Sequence, residues 1–146
     1  MKPSDLSELD WLQACIRGEA EGESIVGKLA VGCVIRTRVN ERRWPDTYRE
    51  VVLQPAQFES MAPLGKLIFD DEIPPLLYTK YFRQRRAEVW WKEICAAAWI
   101  VYHNWTRDIV KGANHFYAHN VVKKIPYWAV GVEPVAVIGG HTFLKL

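Results

Sequence analysis

At 146 residues, with 49% apolar and 25% charged residues and a formal net charge of +2, the chain fits one compact domain over residues 1–146 with an ordinary core. No second domain, repeat or low-complexity tract is indicated, and so small a charge argues against a nucleic-acid partner. No apolar run is long enough to cross a bilayer and Met1-Lys2-Pro3-Ser4-Asp5 lacks the apolar stretch of a signal peptide, so the expectation is a soluble monomer without membrane insertion, synthesised in a cytoplasm.

Leu9, Leu12, Ile16 and Ala20 recur at helical spacing behind a Ser7/Asp10 capping box, which predicts an amphipathic helix from about Ser7. It runs into Gly18-Glu19-Ala20-Glu21-Gly22-Glu23, three carboxylates alternating with small residues. Glu19 falls beside the apolar stripe. A carboxylate held against apolar neighbours is disfavoured in its charged form, so its pKa rises and it can carry a proton near neutral pH. Glu19 is therefore the first candidate for a general acid, Glu23 the second and Glu21 the third. The plain alternative is a solvated acidic turn between two helices. Gly18 and Gly22 weigh against it, because glycines admit close approach to the backbone and are poor choices if helix formation is the only demand. Glu23 and Ser24 stand where a second helix begins, so one of them can also act as a cap or helix-dipole partner.

Ile25 to Arg38 is almost continuously apolar and reads as the central buried helix, its Gly27 and Gly32 allowing close packing. Asn40 and the Trp44-Pro45-Asp46 turn end it. Thr47 and Glu50 then open a short helix that must stop before Pro55. Gln57-Phe58-Glu59-Ser60 should be extended or looped. From Met61 to Thr79, Pro63, Gly65, Pro74 and Pro75 interrupt any long period, which predicts a surface excursion with one short element, able to form a cleft wall. A long helix is expected from about Gln84 to Asn104, with Ala87, Trp91, Ile94, Ala98, Val101 and Trp105 on one face. Trp90, Trp91, Trp99 and Trp105 read as core. Beyond Gly112, His115-Phe116-Tyr117-Ala118 and Val135-Ala136-Val137-Ile138 read as strands, the second turning at Gly139-Gly140 into His141-Thr142-Phe143-Leu144. The fold class is α+β, mainly helical, with a small β element near its C-terminus.

Cys15, Cys33 and Cys95, an odd set without C-x-x-C spacing, read as buried free thiols. His115 and His119 have a spacing suited to a helix in a segment that reads as extended, and no H-E-x-x-H accompanies them, so neither a metal nor any other cofactor is expected. The clusters Arg36/Arg38/Arg42/Arg43 and Lys80/Arg83/Arg85/Arg86 suit a polyanionic matrix met at low affinity.

In combination these motifs resemble the cell wall hydrolase family that includes spore-cortex-lytic enzymes and related phage lysins. Gly18-Glu19-Ala20 with Gly22-Glu23 is similar to its G-E-A-x-G-E signature, and Gly27 to Arg38 to its G-x-x-A-V-x-x-V-I-x-x-R helix. Gln54-Pro55-x-Gln57-Phe58, Gly112 to Tyr117, Pro126-Tyr127-Trp128 and Ile138 to Phe143 resemble its later motifs in order, so the likeness spans about residues 10 to 143. Two departures stand out: Glu59 replaces an expected small residue, and Met61 to Gln84 matches no motif.

The resemblance implies a lysozyme-like, lytic-transglycosylase-like domain whose partner is the glycan strand of peptidoglycan, with Glu19 as catalytic acid, in a phage-lysin-like role after release from the cytoplasm. A hydrolase would add a second carboxylate at about 5 to 9.5 Å, for which Glu23 is the first candidate; a transglycosylase needs none. Gln57, His115 and Tyr117 are candidate substrate-binding residues, and Phe58, Phe116 and Trp128 offer flat faces for pyranose rings. His141 reads as structural or as part of the substrate wall. The competing readings are a catalytically idle glycan-binding module and a metal-dependent amidase.

Overall fold

Ser7 opens the first helix, α1 (Glu8–Ala20), through the expected reciprocal cap: its hydroxyl accepts the Asp10 N–H at 3.1 Å and the Asp10 carboxylate accepts the Ser7 N–H at 2.8 Å. The computed structural model describes residues 1–67 and 70–146, so Ile68 and Phe69 of the expected excursion lie outside the described residues. Ser24 caps α2 (Ile25–Asn40), and Thr47 caps α3 (Tyr48–Val52). The carboxylate of Glu8 supplies a second cap to α3, accepting the N–H groups of Tyr48 and Arg49 at 2.9 and 3.1 Å and so tying α1 to α3.

Among the described residues, the expected excursion holds two short helices and not one, α4 (Ala62–Gly65) and α5 (Pro75–Tyr81), the second running past its expected end at Thr79. The long helix that follows, α6 (Val89–Tyr102), is shorter than expected at both ends. Its start is delayed by a turn in which the Glu88 N–H reaches the Arg85 carbonyl at 2.8 Å, and Asn104 at φ 56° breaks the helical path beyond it. Two tryptophans expected in the core are outside it. Trp105 lies past the helix end and is 70% exposed, while Trp99, 46% exposed, is offset from the buried Ala98 and Val101 positions. These two rings meet each other and His103 instead. Trp91 is buried and Trp90 half-buried, both beneath the Arg17 guanidinium.

Helices α1, α2 and α6 pack together around Leu12, Ile16, Val31, Val34, Ile94 and Val101, all fully buried. Gly32 makes this possible: a Cβ there would lie 2.9 Å from Val101 Cγ2 and 3.3 Å from Ile16 Cδ1. Cys15 and Cys33 are buried free thiols as expected, whereas Cys95 is half-buried. The C-terminal hairpin also forms as expected. β1 (His115–Ala118), β2 (Ala136–Ile138) and β3 (His141–Leu144) make an antiparallel sheet of order β1-β3-β2, with Phe116 opposite Phe143 and Val137 opposite Thr142. β3 is buried along its length, and Phe143 joins the helical core.

Gly32→Val should overpack the α1/α2/α6 contact. A loss of about 2 kcal/mol is expected, read as a lower urea midpoint at unchanged m-value.

Candidate active site

The last turn of α1 carries Glu19, and the residues around it come from α2, the stretch at residues 56–59 and the C-terminal segments from Phe116 to His141. A cleft of about 350 Å³ is lined by Glu19, Gln57, Phe58, Tyr117 and Trp128 among others, so five of the seven candidates named from the sequence border one space. Glu23 borders an adjoining cavity of about 260 Å³ that shares Glu19, Ala118, Val121 and His141 with the cleft. On the far side, an apolar pocket of about 330 Å³ shares Ala56, Phe58 and Glu59 with it. Glu19 thus borders two of three adjoining cavities.

Burial pushes the Glu19 carboxyl above its ordinary pKa, as its apolar setting predicts, and the charge of Glu59 pushes it the same way. The position near a helix C-terminus, where the helix dipole is negative, acts in the same direction. Two groups oppose them: the Ser60 hydroxyl donates to Glu19 Oε1 at 3.1 Å, and Arg38 contributes a positive charge. Ser60 reaches Glu19 because Gly18 has no side chain; a Cβ there would fall 2.5 Å from Ser60 Oγ. The Tyr81 hydroxyl at the end of α5 donates to the Ser60 carbonyl and holds that segment in place.

Arg38, only 3% exposed, organises the opposite side. Its Nε donates to the Asn114 carbonyl at 2.8 Å and its Nη1 to Gln57 Oε1 at 3.0 Å, while the guanidinium lies over the Trp44 and Phe58 rings at 5.1 and 5.0 Å. Desolvation lowers its pKa to about 10, which still leaves it charged at neutral pH. Gln57, exposed, therefore has its carbonyl oxygen engaged and its amide N–H groups available. Phe58 is 4% exposed and packed against Arg38 and Phe116, so it is a buried wall and not the sugar platform expected from the sequence.

Trp128 is half-buried on a short 3₁₀ turn, Tyr127–Ala129, with Tyr117 edge-on to it at 6.1 Å. His115 supports Trp128 from behind at 5.2 Å and is not among the residues lining the cleft. Its Nδ1 lies 2.8 Å from Asn114 Oδ1, and desolvation lowers its pKa to about 4, so it stays neutral at ordinary pH. Glu23 does not project freely into the cleft: its Oε1 accepts the Gly140 N–H at 2.9 Å. Glu21 is exposed and borders neither of the cavities that Glu19 borders. Among the described residues, no three His, Cys, Asp or Glu side chains are grouped to hold a metal ion.

Ser60 and the buried role of Arg38 were not foreseen. For Arg38 a signal existed, since it follows Val31, Val34 and Ile35 at i, i+3, i+4 and i+7, a charged residue in register with a buried stripe. Lys28 lies in the same register and is 1% exposed. Ser60 had no such signal.

A family model described as Cell Wall Hydrolase matches residues 22–144. Spore cortex-lytic enzymes of Halalkalibacterium halodurans and Oceanobacillus iheyensis are each 34% identical over 56 residues, which is 38% of this chain and 17% and 20% of theirs. The aligned part is thus about a fifth of the length of those curated relatives. The catalytic domain of the germination-specific lytic transglycosylase SleB from Bacillus anthracis superposes with a TM-score of 0.67 at 20% identity, covering 94% of this chain and 93% of that one. The catalytic domain of the Bacillus cereus SleB protein gives the same score and identity over 94% and 89%. These similarities support the mainly helical α+β fold. The family match begins three residues after Glu19.

Two substitutions should move the Glu19 pKa in opposite directions. Ser60→Ala removes a hydrogen bond to the carboxylate and should raise it; Glu59→Gln removes a like charge and should lower it. Carboxyl titration of Glu19 followed by carbon-13 NMR reads both.

Proposed function

The chain belongs to the cell wall hydrolase family, and on that premise we propose that it cleaves peptidoglycan glycan strands at the β-1,4 bond between N-acetylmuramic acid and N-acetylglucosamine, as a lytic transglycosylase. The observation that carries the reading is Glu19: one carboxyl with a raised pKa, held by Ser60, bordering two adjoining cavities that suit a polymer. In the first step the protonated Glu19 gives its proton to the glycosidic oxygen as the bond to C1 breaks, and positive charge develops on the muramyl ring. The Glu19 carboxylate then takes the proton of that sugar's own 6-hydroxyl, whose oxygen closes on C1. Glu19 ends protonated, no water is consumed, and the product carries a 1,6-anhydro end.

Tyr117 and the free amide N–H groups of Gln57 would bind sugar hydroxyl or acetamido groups, and the Trp128 face would take a pyranose ring. The names of the relatives make spore cortex peptidoglycan the first substrate to test, beside the vegetative sacculi that a phage-lysin-like role would require.

A hydrolytic muramidase is the second reading, and Glu59 favours it. This exposed carboxylate borders the same cleft and acts electrostatically on Glu19. Mass spectrometry of digested peptidoglycan separates the two. The expected muropeptides end in 1,6-anhydro-N-acetylmuramic acid; reducing ends one water heavier would establish hydrolysis, and Glu59→Gln would then abolish turnover.

Glu19→Gln should reduce lysis by about 10²- to 10⁴-fold, because the amide has the carboxyl's size and no proton to deliver. It should also stabilise the fold at neutral pH. A carboxyl whose folded pKa is raised favours folding only while protonated, so its penalty is absent below the ordinary carboxyl pKa and complete above the folded one. The gain in melting temperature should therefore grow as pH rises from the ordinary carboxyl pKa through the raised folded one, and vanish below that interval.

A further inference from the structure

Glu23 is fixed at both ends. Its backbone N–H donates to the Ala20 carbonyl at 3.0 Å, and its own carbonyl accepts Lys28 Nζ at 2.7 Å. Lys28 is itself buried and paired with Glu93 of α6 at 3.1 Å, so the α1–α2 junction is bound to the helical core. At the other end, the Glu23 carboxylate accepts the Gly140 N–H at 2.9 Å and lies 3.2 Å from His141 Nδ1, the latter without hydrogen-bond geometry.

The β2–β3 turn is shaped around that carboxylate. A Cβ at Gly139 would lie 2.6 Å from Glu23 Oε2, and one at Gly140 would lie 2.9 Å from Oε1 and 2.6 Å from Asn120 Nδ2. Gly139 also has φ +56°, a conformation that side chains disfavour. Gly27 admits the other face of the same side chain, since its Cβ would meet Glu23 Cβ at 2.9 Å. Three glycines from two distant segments therefore leave room for one glutamate. The turn so held leads directly into His141, which borders both cavities that Glu19 borders.

We propose that Glu23 is a positioning residue and not a reacting carboxylate: it clamps the β2–β3 turn to the α1–α2 junction and thereby holds the wall of the cleft that shares its space with Glu19. The inference rests on the reading of Glu19 as the acid. A reacting carboxylate needs its charge, whereas a clamp needs an acceptor oxygen of the right length. Glutamine keeps the oxygen and loses the charge; alanine loses both.

The test compares Glu23→Gln, Glu23→Ala and Gly140→Ala with Glu19→Gln, reading kcat and KM on purified peptidoglycan and hydrogen exchange of the Gly140 amide in each folded protein. Glu23→Gln should keep kcat within about threefold and keep the Gly140 amide protected, far from the loss of about 10²-fold or more that removal of an acid or base brings. Glu23→Ala should lose that protection and raise KM about tenfold or more. Gly140→Ala, with every carboxylate intact, should do the same, and combining it with Glu23→Ala should add little, as expected for two halves of one contact. A folded Glu23→Gln protein as inactive as Glu19→Gln would overturn the proposal, and so would an unprotected Gly140 amide in the wild type. Full activity in Glu19→Gln would refute the acid and leave the exchange comparison to judge the clamp.

Discussion

Two buried cations on α2 hold the site together, because a charge removed from water is tolerated only when its donors find acceptors. Lys28, near the start of the helix, takes the Glu23 carbonyl and the Glu93 carboxylate. Arg38, near the end, takes the Asn114 carbonyl and the Gln57 side chain. Each therefore ties an irregular segment to the buried helix α2. The turn after Glu19, the Gln57 loop and the entry to β1 are all held in this way, and these are the segments that build the cleft.

Absent side chains do the complementary work. Gly18 admits Ser60 to Glu19, while Gly27, Gly139 and Gly140 admit Glu23 to the hairpin turn. The segment Gly18 to Glu23 and the Gly139-Gly140-His141 segment are thus two sides of one contact, although more than a hundred residues separate them. Glycine has no side chain to contribute to packing and weakens helices, so its use at these points is explained by what approaches. Gly22 is different, since a Cβ there would meet nothing within 4 Å.

The elements most legible in the sequence were those specified by local chemistry. Capping residues and helical period placed the start of α1 and the course of α2, and a glycine pair between alternating apolar residues placed the β2–β3 hairpin. Burial at the ends of elements was less legible. Trp105 fits a helical stripe on paper, yet the path of α6 ends at Tyr102, so the apolar period outlasts the helix that gives it meaning; Trp99 lies within α6 but off its buried face. Phe58 fails as a sugar platform for a related reason: Arg38 needed an aromatic face, and the demand of a buried guanidinium is invisible to a reading of Phe58 alone.

The sequence by itself determined the helical frame, the hairpin and Glu19 as the carboxylate to watch, since each follows from period, capping or an apolar neighbour within one turn of helix. Only the tertiary structure decided what surrounds Glu19. The Ser60 hydroxyl that holds it, the Glu59 charge that opposes its ionisation and the engagement of Glu23 by Gly140 all arise between segments tens of residues apart or more. Desolvation and hydrogen bonding act over a few ångströms in space, and no spacing along the chain encodes which distant backbone N–H will meet a given carboxylate.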